Sequence, residues 1–243
     1  MRLFHKIKFY VGNIFRFIAT PFFEYSIHPK DACTIFGARF HNGWHHIIET
    51  LKQYDENHKI NYKDTVMYSF LTKFIFKSFT DLINEPNEKK LEPFMFPWGP
   101  ANIDLDINKK SLLKSRFCGP STNEFIKNEF DRTIKLYEKI KNEGYRPYFF
   151  GNSFIIGTWL ISDDNKSVFM VLGGNHRMAI LSHLGLKKIK VRTSKKLLKK
   201  IKKEEINSWL LVKSQICSFN HAKKLFNIFF KENGNHLKKI IKT

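Results

Sequence analysis

The stretch that most constrains this chain runs from Val168 to Thr193. Val168-Phe169-Met170-Val171-Leu172 is an apolar run of strand length bounded by turn formers, so it reads as a strand buried on both faces. Gly173-Gly174 follows at once, admitting positive φ and close approach to the backbone. Asn175 is then placed to cap a helix whose apolar positions Met178, Ala179, Leu181 and Leu184 recur at helical spacing, and Gly185 ends it. Ile189-Lys190-Val191 opens a second β-branched run. The expectation is strand, turn, helix, strand with almost no spacer.

Such a helix start carries unpaired N–H groups and the positive end of the helix dipole. With His176 and Arg177 beside it, the turn Gly173-Gly174-Asn175-His176-Arg177 is a candidate phosphate site. A glycine pair alone would fit any tight strand-to-helix turn; the longer string is more specific. Gly174-Asn175-His176-Arg177-Met178-Ala179, followed by Leu184-Gly185 and Ile189-Lys190-Val191, resembles the ParB/sulfiredoxin-like superfamily. The signature of that superfamily is a Gly-x-x-Arg box at a strand-to-helix turn, then Ala, Leu-Gly and a short apolar strand. Upstream, Ile134 to Gly144 with Tyr145-Arg146-Pro147 look like its preceding helix, and Phe154 to Trp159 look like its next strand. The likeness covers about residues 116–193, roughly a third of the chain.

The resemblance implies nucleoside phosphates at the glycine box, with ATP or another nucleoside triphosphate and Mg²⁺ as cofactors. Kinase members use a carboxylate as base on the acceptor hydroxyl. Glu124, Glu129 and Asp131 are the carboxylates nearest in sequence, and each reads equally as a solvated helix residue. Glu129 with Arg132 is also an ordinary i,i+3 pair. Sulfinic acid reduction is disfavoured, because Asn175 stands where the sulfiredoxin branch carries its reactive cysteine. Cys33, Cys118 and Cys217 are odd in number and far apart, which argues against a disulfide framework or a structural zinc site and fits a reducing compartment.

The formal net charge of +20 points to nucleic acid, an anionic membrane or phosphorylated ligands. Most of it is lysine, and the chain is also rich in Asn, Ile and Phe, as AT-rich coding sequence would produce. The few arginines, Arg116, Arg132, Arg146 and Arg177 among them, are therefore better candidates for bidentate anion contacts.

Residues 1–23 hold Arg2, Lys6, Lys8 and Arg16, no acid and many large apolar side chains, without a run long enough to span a bilayer. They read either as a helix lying on an anionic membrane surface or as one packed on the domain, with Pro21 ending it. His41, His45, His46 and His58 surround the start of a second helical pattern; His41 and His45 would share a face, yet no acid completes a metal site there. Tyr62 to Ile83 reads as a helix dense in Phe70, Phe74, Phe76 and Phe79, either deeply buried or facing lipid or a partner. Pro93, Pro97 and Pro100 around Trp98-Gly99 mark a rigid loop, and Asp104 and Asp106 follow it. Residues 187–203 carry ten Lys or Arg and no acid; the last helical segment spans 222–230, and residues 233–243 read as a frayed tail.

The fold expectation is α+β: a small mixed-sheet core over 101–193, a helical aromatic-rich region over 1–100 and a basic helical extension over 194–243. The leading functional expectation is a cytoplasmic kinase, with membrane association at the cytoplasmic face through the basic aromatic N-terminus, acting on a small-molecule, sugar or cell-surface glycan acceptor. The second is a ParB-like, DNA-associated nucleotide-binding protein without kinase activity. A metal nuclease ranks last, because no carboxylates or histidines are spaced for one.

Overall fold

Alternation along the strand at 167–173 sets the architecture. Val168 and Met170 enter one apolar cluster while Phe169 and Val171 enter another, so both faces of the sheet are buried, as the unbroken apolar run predicts. The computed structural model describes residues 24–76, 78–83, 95–100, 120–148, 154–193 and 198–242. Expectations for residues 1–23, for Pro93, Asp104 and Asp106, and for Arg116 and Cys118 lie outside those residues.

In chain order the elements are β1 (Glu24–Ile27), β2 (Ala32–Thr34), α1 (His46–Glu56), α2 (Val66–Lys73), the short hairpin β3 (Met95–Phe96) and β4 (Gly99–Pro100), and α3 (Asn123–Glu143). There follow β5 (Ile155–Ile161), β6 (Ser167–Gly173), α4 (Asn175–His183), β7 (Ile189–Thr193), β8 (Lys200–Lys202), α5 (Leu210–Lys213), α6 (Phe219–Lys231) and α7 (Asn235–Lys238). The main sheet has six strands in the order β1-β7-β5-β6-β2, with β8 also paired to β5. It is mixed: β6 is antiparallel to β5 and parallel to β2, and β7 is parallel to β5 and antiparallel to β1. Strands β7 and β8 share one edge of β5, the first along Ile155–Gly157 and the second along Trp159–Ile161.

Mixed α and β structure is as expected, but the sheet draws β1 and β2 from the region read as helical and β8 from the basic extension. These strands are three or four residues long, too short for a period of two to show in sequence. One face of the sheet packs under α1, α3 and α4; the other is filled by the Phe-rich segment, the β3–β4 hairpin and α6.

The expected helix over 62–83 is broken. Thr65 caps α2, whose last residue is Lys73, and Phe74 is extended. Phe74, Phe76 and Phe79 thereby reach a single aromatic cluster with Phe96 and Trp98, all buried. The segment is thus core rather than lipid-facing. Residues 233–242 are docked rather than frayed: the Asn233 carbonyl accepts the Trp44 N–H at 2.9 Å, and Leu237 at the centre of α7 is buried. Its isolated apolar positions among lysines gave no readable period.

Gly157 marks the tightest point of the sheet. A Cβ there would lie 2.3 Å from the Met170 carbonyl oxygen and 2.5 Å from the Phe169 ring, so only glycine lets β5 cross β6 at this register.

Candidate functional site

The glycine turn forms as expected, with one correction. Gly174 rather than Asn175 is the N-cap of α4, at φ 89° and ψ 25°, a left-handed conformation that favours glycine. Asn175 is the first helical residue; its Oδ1 is buried and accepts no hydrogen bond from the described residues. The Gly174 carbonyl accepts the first helical bond from the Met178 N–H at 3.0 Å, and among the described residues no side chain caps the N–H groups of the opening turn. Gly173 closes β6 opposite Ile156.

Helix α3 brings two residues to this turn. Arg132 Nη2 lies 2.9 Å from His176 Nδ1 and 3.3 Å from Glu129 Oε2, and His176 Nε2 lies 3.1 Å from the same carboxylate oxygen. With the imidazole proton on Nε2, His176 donates to Glu129 and accepts from Arg132. Their i,i+3 spacing puts Glu129 and Arg132 on one face of α3, so both reach the imidazole. Asp131 instead points to solvent, paired with Lys127 at 2.7 Å, and Glu124 is exposed in the first turn of α3. Of the three carboxylate candidates, Glu129 is the one the fold delivers to the turn.

Arg177 is half-buried in the opening turn of α4. Burial lowers its pKa, the neighbouring Arg132 charge adds to that, and the Tyr145 phenol opposes it. Tyr145 itself is pushed up to about 12 by burial. Two guanidinium groups thus share one small region, with Arg132 3.3 Å from Glu129.

Helix α1, which the sequence reads as a core or substrate-facing helix, supplies a further part of the site. His45 is the N-cap of α1, its Nδ1 accepting the Ile47 N–H at 3.2 Å, and His46 is the first residue of the helix. The two rings stack at 5.0 Å, and His46 stacks in turn on Phe70 at 4.6 Å. Both lie close enough to His176 to feel its charge. Burial lowers His46 to about 3, with help from His176, and drives His45 well below the usual imidazole range through burial, His46 and His176. Both rings are neutral at physiological pH. His41 does not share a helix face with His45, because α1 begins only at His46; it packs edge-on against His28 at 5.4 Å. No group of three His, Cys, Asp or Glu side chains able to hold a metal occurs among the described residues. The clustering of histidines around Trp44 was the available signal for α1, but nothing in a linear sequence paired it with a turn some 130 residues later.

No family model, no curated protein and no solved structure matches the chain. The fold and site define a mixed α/β protein in which the N-termini of two helices and one face of a third meet beside a strand-to-helix glycine turn. Among the described residues no helix is long and apolar enough to cross a membrane.

Proposed function

We propose that this protein is a nucleotide-dependent phosphotransferase whose 173–177 turn holds the phosphates of ATP or another nucleoside triphosphate together with Mg²⁺. The observation that carries the reading is the meeting of Arg132, Arg177 and His176 at the uncapped first turn of α4. Backbone N–H groups and fixed cations around one point are what a phosphate requires. The buried Nε2–H of His45, coupled to His176, is a donor without a partner among the described residues.

The donor set fits the phosphate part of such a ligand. Mg²⁺ in these sites takes most of its ligands from phosphate oxygens and water, with one or two carboxylates, and supplies charge neutralisation. Glu129 is the carboxylate in place to add a ligand or to act as base. Phosphoryl transfer asks a protein chiefly to position groups and neutralise charge. In that scheme Arg132 turns from His176 to a phosphate oxygen. His176 Nδ1 is then free to take the proton of an acceptor hydroxyl, and Glu129 holds the resulting imidazolium. A small-molecule hydroxyl, such as that of a sugar or of a glycan assembled on the cytoplasmic face of a membrane, is the acceptor class of this reading.

The test is thermal stabilisation of the whole chain by ATP, ADP, CTP and GTP with Mg²⁺, in wild type and Arg177→Ala. A ligand at about 100 times its dissociation constant adds roughly 2.7 kcal/mol. The expected result is one responsive nucleotide whose effect disappears in the variant; no response to any of the four sinks the proposal. A second reading, a DNA-associated nucleotide-binding protein, is favoured by the net charge of +20. It requires DNA affinity falling by orders of magnitude between low and moderate salt, with no phosphate transferred.

A further inference from the structure

The end of β6 farthest from the glycine turn opens onto a polar cleft of about 870 Å³. Ser167 and Val168 line it, so six residue steps of strand, about 20 Å, separate it from Gly173. The turn leading into β2, the loop after Ala38, the β5–β6 turn, Lys203 after β8 and the C-terminal end of α6 contribute its other walls.

Charge in the cleft is graded. Five cationic side chains face three carboxylates, an excess of two positive charges. Lys166 is held by Asp164 and Lys203 by Asp163, each at 2.6 Å, which fixes the rim. Lys30 and Lys231 are exposed and have no carboxylate partner among the described residues. Arg39 is different again: it is 8% exposed, and its Nη2 donates to the Phe229 carbonyl in the last turn of α6 at 2.6 Å. That bond uses the negative end of the helix to hold a guanidinium rigidly in the wall.

The remaining wall is made of hydroxyl and amide groups, including Ser162, Asn42 and Asn227, with Phe230 and His41 each supplying a ring. Val168 and Phe230 are the apolar side chains present. Carboxylates and amides are acceptors for a ligand rich in hydroxyl groups, the Phe230 ring gives a sugar face something to lie on, and the surplus cations match a phosphate. The volume falls in the range of small-ligand sites.

We infer that this cleft binds a sugar phosphate, at a site separate from the glycine turn. The inference does not depend on the proposed phosphotransferase activity. Lys30 and Lys231 meet the phosphate beside Arg39, and the acids and amides of the wall meet the sugar hydroxyls.

Calorimetric titration of the whole chain at low salt tests it, with glucose 6-phosphate, glucose and inorganic phosphate as probes. The expected result is saturable, sub-millimolar binding of the sugar phosphate, with each half alone weaker by about tenfold or more. The double variant Lys30→Ala, Lys231→Ala changes two exposed residues, so its unliganded melting temperature should match wild type while its affinity falls about tenfold or more. Arg177→Ala should bind as wild type does. Absence of saturable binding overturns the inference. So does binding that survives the double variant, or that disappears with Arg177→Ala, which would move the ligand to the glycine turn. Equal affinity for inorganic phosphate would overturn the sugar assignment.

Discussion

Acid should destabilise this protein well before its carboxylates begin to titrate, and His46 is the residue through which to measure it. Its folded pKa is lowered from 6.5 to about 3, chiefly by burial. The native state therefore prefers the neutral ring, and the unfolded chain binds a proton that the native chain refuses. The resulting stability is complete above pH 6.5 and is lost progressively as pH falls from 6.5 toward the folded value of about 3. Each pH unit in that window costs about 1.36 kcal/mol for one such group, so by pH 5 His46 alone accounts for about 2 kcal/mol. His45 and His236 are lowered too and steepen the wild-type loss. The comparison is with His46→Phe, which keeps the stack on Phe70 and removes the titration. The assay is urea unfolding at pH 7.5 and pH 5, followed by tryptophan fluorescence. With a slope of about 2 kcal/mol per molar urea, the variant's midpoint should fall about 1 M less than the wild type's between the two pH values. Midpoints that fall in parallel would show that His46 titrates as an ordinary surface histidine, and the buried neutral cluster would be wrong.

Two further substitutions probe the frame that holds the site. Gly157→Ala drives a Cβ to 2.3 Å from the Met170 carbonyl oxygen, which β5 can relieve only by moving off β6. It should lower the melting temperature by at least about 5 °C, and a melt matching wild type would refute the tight crossing. Tyr137→Phe removes the hydroxyl that donates to Asp55 at 2.7 Å, opposite the 2.6 Å contact of Asp55 with His183. Burial pushes the Asp55 carboxyl upward, but these partners outweigh it and hold the pKa below the usual 3.8, so the tie between α1, α3 and α4 is present above that value and weakens as pH falls. The variant should lose about 1 kcal/mol at pH 7 and progressively less as pH falls below 3.8; a loss independent of pH would show that the hydroxyl acts by packing alone.

The central unit was readable because it is local. An apolar run, a glycine pair and a helical period lie within some two dozen residues, and each has a direct physical meaning. Even there the cap was misplaced by one residue: Gly174 bends to φ 89° so that Asn175 enters the helix, a choice between neighbours that propensity does not decide. The partners of the turn were harder. Glu129 and Arg132 could be named, but so could Glu124 and Asp131, and only the rotation of α3 against α4 selects among them. His45 and His46 were visible as a cluster without an address, because the contact that gives them a role joins distant segments. The docking of residues 233–242 and the cleft at the foot of β6 were not readable at all, since each depends on four or more separated segments meeting.

The histidines also bear on why the turn favours an anion. The Nδ1 of His45 is occupied by the Ile47 N–H, so its proton resides on Nε2, which is buried without a partner among the described residues. Asn175 Oδ1, at the start of α4, is likewise buried and unpaired. Each such group costs about 1–3 kcal/mol relative to a satisfied one. A fold that keeps a donor on α1 and an acceptor on α4, where the first turns of the two helices approach each other, gives up stability in the unliganded state. A ligand or water that bonds either group recovers part of that cost. Neutral rings also leave Arg132 and Arg177 as fixed positive charges beside the turn. Uncapped N–H groups, two guanidinium groups and the unsatisfied His45 donor favour the anion-bound state, while the Asn175 acceptor is met by water or a ligand hydroxyl. Stability and binding are therefore coupled at this turn: a bound phosphate should raise the pKa of His45 and His46 and flatten the acid loss that His46→Phe isolates.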